Sequence, residues 1–60
     1  MERVVLMKVE PPKVLAFFEN FREATQTRRF LDERKGEGLY ICLRESEAYT
    51  QFPRLATLKH

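Results

Sequence analysis

The chain contains no tryptophan, one cysteine, one histidine, one asparagine and two glycines. Each scarcity removes a class of protein. With Cys42 alone there is no internal disulfide. His60 is the only imidazole, and no set of about four Cys, His or acidic ligands stands at the spacing a structural zinc cage needs. No metal or other cofactor is therefore expected. Gly36 and Gly38 form a G-x-G, but they follow a helical segment instead of a strand, the wrong order for a phosphate-binding loop. Catalysis by an amino-terminal proline is not expected either, since residue 2 is Glu and the prolines sit at positions 11, 12 and 53.

Long apolar runs are also absent. Nothing in the chain is long enough to cross a bilayer. The opening MERVVLMKVEPP has a short apolar stretch bracketed by Glu2, Lys8 and Glu10, with no small-residue cleavage site after it, and does not read as a signal peptide. Together with the lone cysteine, this points to a cytoplasmic protein and to no membrane partner.

What is present is a 43% apolar composition, too high for a disordered segment, and charge on a third of the residues. Glu far outnumbers Asp, a bias that resembles thermophile proteins. The net charge is +2. Residues 1–27 hold four basic and four acidic side chains, whereas residues 28–60 hold seven and five, so the whole excess lies in the second half. Sixty residues form one small domain, spanning 1–60. A chain of this size buries only about 60% of its unfolded surface. Disulfides, a metal or oligomerisation usually supply the missing stability. The first two are lacking, which leaves association with itself or with a larger protein.

Two strands are predicted. RVVLMKV, residues 3–9, is rich in β-branched and large apolar residues, with Val5, Met7 and Val9 on one face and Val4 and Leu6 on the other. Both faces are apolar, so this strand belongs inside a sheet covered on two sides. GLYICLRES supplies the second, with Leu39, Ile41 and Leu43 opposite Tyr40, Cys42 and Arg44. Between them, Val14, Phe17, Phe18, Phe21 and Ala24 recur at helical spacing after Pro11 and Pro12. That spacing predicts one amphipathic helix over residues 13–35, ended by Gly36. Such a helix would run roughly 35 Å against about 23 Å of strand, leaving its last two turns to overhang the sheet. The segment ESEAYTQFP reads either as a short helical turn capped by Ser46 or as a loop, Pro53 breaks it in both cases, and residues 54–60 form a strand or a short helix. The expected fold class is α+β: a small β-α-β(-β) domain with one long amphipathic helix on a short sheet, completed by oligomerisation.

No nucleophile–base pair is visible. Cys42, between Ile41 and Leu43, reads as a small strand residue with no base beside it, and Glu45 and Glu47 read as solvated. The expected function is therefore not enzymatic but that of a small binding or regulatory protein. It would work through protein–protein contacts, as a homo-oligomer or docked on a larger protein. Aromatic and arginine side chains dominate binding energy at interfaces. The candidate contact residues are accordingly Arg28, Phe30, Leu31, Tyr40 and Tyr49. Arg28 shares the apolar stripe and so needs a partner, which an acid from another subunit would supply. A second reading is a nucleic-acid-binding module using Arg28, Arg29, Arg34, Lys35 and Arg44, although Arg28 with Asp32 and Arg29 with Glu33 stand at the spacing of self-neutralising helix pairs. A small oligomeric enzyme with a site shared between subunits is a distant third.

Overall fold

The structure, a computed structural model, describes residues 2–57. It is an α+β domain in which strand β1 (Val4–Lys8) is followed by strand β2 (Lys13–Phe18) and helix α1 (Phe21–Lys35). Strand β3 (Tyr40–Arg44) and two short helices, α2 (Glu45–Gln51) and α3 (Arg54–Thr57), complete the order. The sheet runs β2-β1-β3 and both pairings are antiparallel.

The class and the single long helix are as expected, but Lys13–Phe18 is a strand and not the start of that helix. The segment KVLAFF fits both periods. Its valine and phenylalanines suit a pleated surface. Adjacency decides the outcome: the turn at residues 9–12, with a cis Glu10–Pro11 bond, folds β2 directly back on β1. A bulge sits opposite the Leu6–Met7 step, where Leu6 faces Ala16 and Met7 faces Val14.

Helix α1 begins where Asn20 caps it. The Asn20 Oδ1 accepts the Glu23 N–H at 3.0 Å, and the Asn20 amide donates to Glu23 Oε1 at 3.1 Å. Gly36, at φ 114°, closes the far end and donates its N–H to the Asp32 carbonyl. At 15 residues α1 is about 22 Å long, close to the span of the strands beneath it. The long overhang expected of a residue 13–35 helix is therefore not present.

β1 lies between its two neighbours and is covered on both faces. Val5 and Met7 join Ala48 and Leu55 in the core, with Ile41, Leu43, Tyr49 and Phe52 packed around them, which puts α2 and α3 on this face. Leu6 pairs in register with Cys42 and Ala16 on the other face, beneath α1. Val4, Val5, Leu6 and Met7 are at most 3% exposed. The doubly apolar strand thus finds both covers inside one chain. A second copy is not required for that purpose.

Candidate functional site

Register sorts the candidate residues. Tyr40, Cys42 and Arg44 pair with Lys8, Leu6 and Val4, and so share the sheet face under α1. Of the residues α1 turns toward that face, only Ala24 is fully buried. Thr27, Arg28, Leu31 and Asp32 are half-buried. The layer between helix and sheet is therefore partly polar.

Arg28 is the centre of that layer. Its Nη1 donates to Asp32 Oδ2 at 2.9 Å, with the two side chains 34% and 12% exposed. The acid that answers Arg28 comes from its own helix and not from another subunit. Arg28 also lies within hydrogen-bonding reach of the Cys42 thiol. Burial pushes that thiol's pKa up, and the nearby guanidinium only partly offsets it. A thiol held protonated is a poor nucleophile. The second Asp32 oxygen, Oδ1, is buried and accepts no hydrogen bond from the described residues.

Phe30 points the other way. It is 52% exposed, the most exposed large apolar side chain in the set that includes Leu15, Phe17, Phe21 and Leu39. The Arg34 guanidinium lies over its ring, 4.3 Å from the centroid, one helical turn on. Leu31 is half-buried between these two sides of the helix, and Tyr40 is half-buried at the start of β3. Tyr49 packs with Val5 and Met7 beyond the sheet. Arg28, Leu31 and Tyr40 therefore belong to one layer, while Phe30 and Tyr49 face opposite sides of the molecule.

The basic residues do not gather. Arg28 is committed to Asp32 and Arg34 to Phe30. Arg29 and Lys35 are exposed. Arg44 lines a shallow groove with Glu2, Val4, Glu19, Asn20 and Phe21 at the start of α1, a helix length of about 20 Å from Lys35. Arg29 and Glu33, four residues apart, form no ion pair with each other.

Sequence reasoning passed over one cluster, at the start of β1 and on the sheet face that carries α2 and α3. Arg3 grips Glu45 through two hydrogen bonds, at 2.8 and 3.2 Å, and lies 4.0 Å over the Phe17 ring. The bond to Glu45 holds the Arg3 pKa above its ordinary value. Beside it, Glu2 Oε2 accepts the Ser46 N–H at 3.0 Å, which lowers the Glu2 pKa. These contacts join residues more than forty positions apart, and no local pattern announces them. Ser46, expected to cap the short helix, instead has its own N–H capped by Glu2; the first residue before the helix is Arg44, whose N–H donates to Glu47 Oε1 at 3.3 Å.

Among the described residues no group of three His, Cys, Asp or Glu side chains is placed to hold a metal ion. No described helix is long and apolar enough to cross a membrane. Comparison with protein-family models, curated proteins and solved structures finds no match.

Proposed function

We propose that this is a small non-enzymatic binding or regulatory protein that acts through protein–protein contacts, as a homo-oligomer or as a subunit docked on a larger protein. The observation that carries the reading is Phe30, a half-exposed aromatic ring held flat under Arg34 on the solvent side of α1. Aromatic and arginine side chains are those whose burial at an interface yields most binding energy. Arg34 fixes the ring before contact, so less side-chain entropy is lost on binding. A cytoplasmic setting is proposed with it, because a lone thiol suits a reducing compartment.

Nucleic-acid binding is the second reading, supported by exposed Arg29, Lys35 and Arg44. It has less support, since Arg28 and Arg34 are engaged within the chain and Arg44 lies at the other end of the helix. Phosphate contacts would make affinity fall steeply with salt. Oligonucleotide binding that is strong at low salt and lost at high salt would favour this reading over the first.

The deciding experiment compares wild type with Phe30→Asp by sedimentation and by capture from an extract of the source cells. The protein-contact reading predicts self-association or a retained protein that the variant loses while its circular dichroism is unchanged. It is overturned if wild type neither associates nor retains any protein that the variant does not.

A further inference from the structure

At about 100° per residue, Gln26, Arg29, Phe30, Glu33 and Arg34 fall within an arc of about 140° on α1. All five are exposed, and the arc is centred away from Ala24 and Leu31, which face the sheet. Phe30 and Arg34 lie on one side of the arc and Arg29 and Glu33 on the other. Arg29 and Glu33 stand at the spacing of an intrahelical ion pair yet do not make one, and neither takes part in a side-chain hydrogen bond of the described residues. Each is therefore a charge available to an outside partner.

We infer that the occupant of this face is a second copy of the same chain, with α1 packed antiparallel on its counterpart about a two-fold axis. The inference rests on the protein-contact reading above and names its partner. A two-fold axis perpendicular to both helices keeps each side of the arc opposite its own equivalent. On one side it brings Arg29 against the partner's Glu33 and Glu33 against the partner's Arg29, giving two symmetric ion pairs at the level of Leu31. On the other side the two Phe30 rings meet, offset by two residues, about 3 Å along the axis. Parallel packing would instead turn the Arg29 and Glu33 side toward the partner's Phe30 and Arg34 side, where Arg34 already lies over its own Phe30 ring, so the antiparallel orientation is the one that pairs the two unengaged charges with each other. Isologous contact of this kind is the commonest way for identical chains to pair. One face of one helix is small for an interface, so the association is weak and concentration-dependent.

Charge reversal tests the register. Sedimentation equilibrium from micromolar to millimolar chain is expected to show a monomer–dimer equilibrium. Arg29→Glu or Glu33→Arg alone sets like charges opposite each other twice, and the dissociation constant should rise about tenfold or more. The double variant, with both changes, restores opposite charges across the axis and should return it to within about threefold of wild type. Both positions of the cycle are on the surface, so folding, read by circular dichroism, stays constant. A chain that is monomeric throughout, a dimer indifferent to the single reversals, or a double variant that fails to recover would each overturn the helix pairing. A monomer that captures another protein through Phe30 overturns this inference and leaves the protein-contact reading standing. Loss of both sinks both.

Discussion

Arg28 carries a charge into a layer where a leucine would ordinarily sit, and its cost depends on Asp32 remaining beside it. Removing either partner leaves the other half-buried and unpaired, whereas replacing both with apolar side chains removes the desolvation penalty altogether. Arg28→Ala and Asp32→Ala should each lower stability by about 1–2 kcal/mol in urea titration. Arg28→Met with Asp32→Leu should recover most of that loss. If the double variant is additive, the pair is not coupled and its two side chains act through packing alone. The Glu2 carboxylate at the other end of the sheet gives a pH-dependent counterpart. Its pKa is lowered from 4.5 in the folded chain by its hydrogen bonds to Ser46. A depressed carboxyl contributes stability above its unfolded value and loses it as pH falls through the folded one. The Ser46 amide resonance should therefore titrate with a midpoint below 4.5, and Glu2→Gln should abolish that titration.

The start of α1 shows how two periodicities compete within one element. Val14, Phe17, Phe18 and Phe21 satisfy the helical spacing, yet the first three lie in β2 and only the last lies in the helix. The deciding signal is in the chain: Asn20 with Glu23 three residues on is the pattern of a helix N-terminus, and residues that favour helix come directly after it. Pro11 and Pro12, legible as a helix opening, are equally suited to a turn. From Phe21 onward the helical spacing holds, including the placement of Arg28 on the inward stripe and Gly36 at the end. Asn20→Ala should cost about 1 kcal/mol, seen as a lower urea midpoint with an unchanged slope. An unchanged midpoint would mean that β2 and the Phe21 contacts, and not the cap, fix where the helix starts.

For the whole molecule, the apolar character of both β1 faces was legible, and so was a helix over one of them, but not what covers the other. The helices on that face lie toward the end of the chain, and α2 is a seven-residue segment, ESEAYTQ, with one buried residue, Ala48. Such a segment carries almost no periodic signal, and its position depends on distant contacts such as Arg3 with Glu45. Candidate contact residues fared similarly. Helical spacing separates Phe30 from Arg28, but only the register of β3 and the packing of α2 place Tyr40 and Tyr49 on opposite faces of the sheet. Met7, fully buried between the layers, tests the core: Met7→Ala should cost about 2–5 kcal/mol in denaturant. A loss under about 1 kcal/mol would mean that the short helices close over the cavity.

The position of β1 between β2 and β3 also sets when the domain can fold during synthesis. Residues 4–8 leave the ribosome ahead of the other elements, and β2 comes directly after them, so a hairpin can form early. That hairpin has two bare edges, of which only that of β1 is later paired, and two uncovered faces, and an isolated hairpin is at best marginal in water. α1 supplies one cover, the missing edge arrives only with residues 40–44, and the second cover comes later still. A nascent chain stopped in α1 would therefore expose the apolar edge of β1 to any other strand nearby. The strand made first is the last to be fully enclosed, and the domain becomes cooperative only when nearly all of it has been synthesised.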